Sequence, residues 1–131
     1  MLYVKTEIRP SPIHGVGLFA AQAIPKGALI WKFDSGFDIL VSKEKYSSLS
    51  EIGKDFLDHY GYWSKEMDAY ICTGDNHRFT NHSENPYVGT VNAGPGDDGQ
   101  DVALRDIEPG EEITVDYRVF GENPEEDAPK S

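Results

Sequence analysis

A chain of 131 residues is long enough for one domain with a modest core and too short for a second lobe, so its site is complete in one piece or shared with a partner. Its 23 acidic against 12 basic residues give a formal charge of −11, which argues against nucleic acid as a direct ligand, because phosphate binding calls for a basic surface. The same charge favours a basic protein or peptide as partner, or simply keeps a small domain in solution. No run of about eighteen apolar residues occurs, and Met1-Leu2-Tyr3-Val4-Lys5 lacks the charged and apolar regions of a signal peptide. These features predict a soluble intracellular protein, cytoplasmic or in the nucleoid or nucleus, with no membrane partner. The one cysteine, Cys72, excludes an internal disulfide and a thiolate-rich zinc site, and His14, His59, His77 and His82 supply no metal-ligand spacing, so no metal is expected.

In chain order, strand-forming runs are expected at 3–8, 18–21, 28–33 and 38–41. Between 42 and 60, apolar residues at Tyr46, Leu49, Ile52, Phe56, Leu57 and Tyr60 follow a spacing of three to four, which predicts one or two short helices. Ser42 and Ser50 are candidate amino-terminal caps and Gly61 a stop. Further strands are expected at 69–72, 87–91, 102–105 and 112–117, with Gly94-Pro95-Gly96-Asp97-Asp98-Gly99 as a hairpin tip. Residues 121–131 are acidic and nearly free of apolar side chains, and are expected to form a disordered tail after a single domain at 1–120. A faint internal echo sets Ala20, Ile24, Gly27 and Ile30 at one constant interval from Ala103, Ile107, Gly110 and Ile113, which suggests two similar small sheets.

Three fragments carry candidate chemistry. In His14-Gly15-Val16-Gly17, two glycines around one residue either make a tight turn or let the backbone approach a bulky ligand. A dinucleotide fingerprint is excluded, because the third glycine and the following helix are missing. Asn81-His82-Ser83 offers directed hydrogen bonds for a ligand held in one pose, or a polar turn before Pro86. Alternation in Ile113, Val115 and Tyr117 puts these three on one strand face, where a terminal tyrosine is a rim aromatic or a catalytic group. Glu111 and Glu112 read as solvated residues at a strand entry, with Glu111 placed to bridge Arg105.

Taken together and in this order, His14 to Ala20, Arg78-Phe79-Thr80-Asn81-His82-Ser83 and Gly110-Glu111-Glu112-Ile113-Thr114-Val115-Asp116-Tyr117 resemble the SET-domain protein lysine methyltransferases. The resemblance spans roughly residues 12–117. It implies a mainly β fold with short helices, made of small antiparallel sheets around a pseudoknot, and S-adenosyl-L-methionine as cofactor. Cofactor contacts are then expected from His14, Gly15, Val16, Gly17, Arg78, Asn81, His82, Tyr117 and Phe120. Tyr117 and Tyr60 take the catalytic positions, with Tyr62 and Val115 lining the substrate channel. Val115, smaller than the tyrosine or phenylalanine of related enzymes, would permit dimethyl or trimethyl products.

The chain departs from the family where Glu84 stands in place of a common cysteine and Tyr87 in place of an asparagine. The cysteine-rich zinc-binding extension is missing, which leaves Val119 and Phe120, or a second protomer in a homodimer, to close the channel. The expected substrate is a lysine-rich basic protein or peptide. A catalytically weak SET-fold module that binds basic segments is the alternative.

Overall fold

The computed structural model describes residues 1–92 and 94–117, so the expectations for 118–131, including Val119, Phe120 and the acidic tail, lie outside the described residues. Among the described residues, ten short strands make three sheets. β1 (Thr6–Pro10) and β2 (Val16–Ala20) form an antiparallel ribbon with Ile8 opposite Leu18. Its turn closes through the Ser11 amide donating to the Gly15 carbonyl at 2.8 Å, with Gly15 at φ +46°. A five-stranded sheet runs in the order β3 (Leu29–Lys32), β9 (Gln100–Ala103), β8 (Val88–Val91), β10 (Thr114–Val115), β7 (Asn81–His82). The third sheet sets β6 (Ala69–Cys72) between β4 (Ile39–Val41) and β5 (Tyr62–Ser64).

The helical region divides in two, α1 (Lys43–Ser48) and α2 (Glu51–Tyr60), as the two candidate caps suggest. Ser42 Oγ accepts from the Lys45 amide at 3.0 Å and Ser50 Oγ from the Gly53 amide at 3.2 Å, so each helix start has a donor satisfied. Gly61 ends α2 in extended rather than left-handed backbone. A Cβ there would come within 2.9 Å of the Ile71 carbonyl, so close approach to β6 explains the glycine. Each helix buries little, Tyr46 from α1 and Leu57 from α2, against Tyr70 and Trp63 of the third sheet. Tyr46 stacks on Tyr70 with ring centres 4.3 Å apart.

The internal echo is a pairing rather than two separate sheets. Ile24 and Ile107 exchange amide-to-carbonyl bonds at 2.8 Å in both directions. The Gly27 amide donates to Ala103 while the Gly110 amide donates to Ala20, each at 2.8 Å, and Ala103 to Ala28 matches Ala20 to Glu111. The two copies thus face one another across an approximate twofold axis, and each satisfies the backbone of the other. Their apolar side chains, Ala20, Ile24, Ile30, Ala103, Ile107 and Ile113, all lie in the main core.

At the far side of the five-stranded sheet, β10 pairs in parallel with β7 (Thr114 with Asn81, Val115 with His82) and also with β8 (Val115 with Val88). Because β10 lies between them, the 83–87 link from β7 to β8 has to cross it. Three elements have no counterpart in the periodicity: β5, β7 and the 3-10 turn Asn76–Phe79, each of two to four residues and too short to show a repeat. The strand expected at 112–117 ends at Val115.

Ile24 and Ile107 are both at 1% exposure. Truncating either to alanine leaves a cavity at the centre of the pairing and is expected to cost about 2–5 kcal/mol. Urea unfolding of Ile24→Ala and Ile107→Ala checks this, with comparable losses expected at the two positions. A cost near zero at either one contradicts the shared core.

Candidate functional site

One cleft of about 380 Å³ gathers segments that are far apart in sequence. His14, Gly15 and Val16 come from the β1–β2 turn, Arg78, Thr80 and Asn81 from the 3-10 turn and β7, Tyr60 from the end of α2, and Tyr117 from the residues after β10. Of the candidate residues, these bring together His14, Gly15, Val16, Tyr60, Arg78, Asn81 and Tyr117. Gly15 opens onto space, since a Cβ built on it meets nothing within 4 Å. Asp58 and His59, in the last turn of α2, also line the cleft, though their helical pattern gave no sign of it.

Asn81 is buried, and its Nδ2 donates inward to the carbonyls of His14 (3.1 Å) and Val16 (3.2 Å) and to Glu112 Oε2 (2.9 Å). The amide therefore fastens the glycine turn, and its Oδ1 is the end turned away from these partners. The Tyr117 hydroxyl donates to the Thr80 carbonyl at 2.6 Å, which spends its proton and leaves the oxygen's lone pairs as acceptors. Burial raises the Tyr117 hydroxyl above the usual tyrosine range, so it stays neutral at physiological pH. His82 Nδ1 accepts the Tyr117 amide at 3.0 Å, which puts the proton of the neutral ring on Nε2. The His82 ring packs 5.2 Å from that of Tyr117, so His82 supports Tyr117 and does not line the cleft.

Arg78 holds its guanidinium among aromatic rings, 5.5 Å from the centre of Phe79 and 5.9 Å from those of Phe56 and Tyr60, at the outer reach of cation–π attraction. It also faces Cys72. Burial raises the Cys72 thiol and the guanidinium opposes the rise, so the thiol stays protonated and unreactive.

Several expected placements are different in the structure. Gly17 is a buried strand residue whose missing Cβ makes room for the Glu112 carboxylate, not for a ligand. Val115 is 3% exposed because its side chain packs among the apolar residues of the main core; it does not line the cleft. The face shared with Ile113 is real, but it is the core face, and the strand's end at Val115 releases Tyr117 from that alternation. Tyr62 likewise does not line the cleft: its hydroxyl donates to Asp98, which also accepts from Ser64. Glu111 accepts from Tyr87 Oη at 2.7 Å and from the Glu108 amide at 2.7 Å, while Arg105 reaches Asn85 and stacks over Tyr87. Glu112, read as solvated, instead accepts from Ser11 and from Asn81, behind the cleft rather than lining it. Its place in a paired glutamate after Pro109-Gly110 gave no sign that a glycine nearly a hundred residues earlier would make room for it.

The SET-domain family model matches residues 15–118, and the chain belongs to the SET-domain family. Among solved structures it is similar to a Plasmodium falciparum protein described as a "putative histone methyltransferase", with a TM-score of 0.60 and 19% identity over 88% of this chain and 95% of that one. At that identity the likeness establishes the fold. No curated protein matches the chain.

The Tyr62–Asp98 pair sets a pH dependence. Burial is the main cause that raises the Asp98 carboxyl above its ordinary value, with the Ser64 and Tyr62 hydrogen bonds opposing. The folded state thus holds this proton more tightly than the unfolded chain. Its contribution to stability is full below the unfolded value of about 3.9 and is lost as pH rises through the folded value. Thermal melts of wild type and Asp98→Asn from pH 4 to pH 7 are expected to show the wild type's advantage shrinking as pH rises. An advantage that grows with pH contradicts the assignment.

Proposed function

We propose that this SET-domain protein is a protein lysine methyltransferase that uses S-adenosyl-L-methionine. The observation that carries the reading is the meeting of the Gly15 turn, Asn81 and Tyr117, three segments far apart in the chain, around one cleft. Its volume falls within the roughly 300–1,000 Å³ of small-ligand sites. The donor set also suits the cofactor. Arg78 answers a carboxylate, the Asn81 Oδ1 answers an ammonium, Tyr60 and Phe79 offer ring faces, and Gly15 leaves room for backbone approach. His14 to Val16, Arg78 and Asn81 would hold the cofactor, with His82 behind Tyr117. When bound, that group supplies an electrophilic methyl on a positively charged sulfur.

The remaining work is positioning, which side chains already fixed by packing can do. Free lysine has a pKa of about 10.4 and must lose its proton to react; entry into a partly apolar cleft beside a positive charge lowers that value. Tyr117, its hydroxyl proton held by Thr80, presents lone pairs that accept N–H bonds from the incoming amine and orient its nitrogen. Tyr60 stands in the same cleft, its ring held edge-on to Phe79 at 5.7 Å. The charge of −11 favours a lysine-rich basic protein or peptide as substrate.

Transfer of labelled methyl from S-adenosylmethionine to a mixture of basic proteins, with the modified lysines located by mass spectrometry, tests the reading. The expected result is incorporation on lysine; binding of basic proteins without incorporation supports a non-catalytic module instead. Tyr117→Phe is expected to lower kcat on the order of 10²-fold, the scale for losing one preorganised polar group at a reacting centre, with cofactor affinity changed by less than about threefold. Unchanged turnover removes Tyr117 from the reacting centre. Apparent affinity for a basic substrate is expected to weaken as salt rises, since exposed charges are screened beyond about 8 Å at physiological ionic strength. A salt-independent KM assigns the charge to solubility.

A further inference from the structure

The β1–β2 turn meets the rest of the site through one carboxylate. Both oxygens of Glu112 lie 2.9 Å from Ser11 Oγ, and Oε2 accepts from Asn81 Nδ2 at 2.9 Å. Ser11 Oγ in turn accepts the Ile13 amide at 3.0 Å. Gly17, opposite Arg9 in the ribbon, leaves open the volume the carboxylate fills, and any Cβ there would collide with Oε2. Glu112 itself is held in place by its bridge to Phe19 and by the Ile113 amide donating to Leu18 at 2.8 Å.

We propose that Glu112 is the positioning residue of this site: by accepting from Ser11 and Asn81 together, it locks the 11–17 segment over the cleft and fixes the orientation of the Asn81 amide. Nδ2 carries two hydrogens, and the His14 carbonyl, the Val16 carbonyl and the Glu112 carboxylate compete for them. Three acceptors on one side hold the nitrogen end inward and keep the oxygen end on the other side. With Glu112 gone, Ser11 and Asn81 each lose an acceptor, the turn loses the tie that Ser11 makes to the 112 position, and a rotated Asn81 would offer donors where it now offers an acceptor. Gly17 is then a glycine because of Glu112. The ligand side of this inference rests on the cleft being the cofactor site; the hold on the turn does not.

The experiment compares Glu112→Ala, Glu112→Gln and Gly17→Ala with wild type by amide hydrogen exchange on the protein without ligand and by calorimetry with S-adenosylhomocysteine. In Glu112→Ala, exchange across residues 11–17 is expected to speed up about tenfold while the amides of Ile24, Ile71 and Ile107 stay at the wild-type rate, and affinity should fall about tenfold or more. Gly17→Ala, which expels the carboxylate, should reproduce both effects. Glu112→Gln can accept from Asn81 through oxygen and donate to Ser11 through nitrogen, so it should stay within about threefold of wild type in both readings. Asn81→Ala and Glu112→Ala combined should weaken binding no more than the worse of the two alone. Exchange that rises equally throughout the protein, exchange unchanged at 11–17, or a glutamine no better than alanine overturns the proposal. If wild type binds no S-adenosylhomocysteine, the cofactor reading fails, and the exchange pattern alone decides whether Glu112 holds the turn.

Discussion

The insertion of β10 in parallel between β7 and β8 is the constraint on which the rest of the structure depends. β10 is only two residues long, yet it pairs on both edges and carries Glu112 and Tyr117 at its two ends to the neighbourhood of Asn81. Such a strand has no stability of its own. It persists because Ile113 and Val115 are buried in the main core and because the turn before it is satisfied by its pseudo-symmetric partner around Ile24. These contacts join segments distant in sequence, so the site exists only when the whole fold is formed.

Two polar groups at the cleft, Asn81 and Tyr117, share a second property, which is that their protons are already committed to the protein. Asn81 Nδ2 gives its hydrogens to carbonyls and a carboxylate, and the Tyr117 hydroxyl gives its hydrogen to Thr80. What remains toward the ligand side is acceptor capacity, the Asn81 Oδ1 and the Tyr117 oxygen. A site that offers acceptors, with Arg78 as its cation, suits ligands that carry N–H groups or positive charge together with a carboxylate. A methyl donor with an amino-acid end and an amine substrate both meet that description, which supports the proposed activity on grounds independent of the family.

Much of the fold was legible in the sequence because it rests on local chemistry. Ser42 and Ser50 cap the two helices and Gly61 ends the second, though in extended backbone, and the Gly-rich run at 94–99 does join β8 to β9. The 20–30 and 103–113 echo was visible too, but the pattern of apolar residues did not reveal that the copies bond to each other. The site was legible only as fragments. Gly15, Asn81 and Tyr117 line one cleft, whereas Gly17, Val115 and Tyr62 serve the interior. Period-two alternation assigned Ile113 and Val115 to one face correctly, but nothing in it distinguishes a core face from a channel face, or marks where a strand stops. Glu112 was missed for a related reason: its partners, Ser11, Gly17 and Asn81, lie outside any local window, and a carboxylate beside a turn looks the same whether water or a glycine faces it.

The proposed activity requires that the cleft between the Gly15 turn, Asn81 and Tyr117 receive the methyl donor. The most direct measurement is a titration of isotope-labelled protein with S-adenosylmethionine, followed through the amide resonances. Saturable shifts concentrated at Gly15, Arg78, Asn81 and Tyr117 are the predicted result. No shifts with the ligand at about 1 mM, or shifts confined to the β4–β6–β5 sheet, would contradict it.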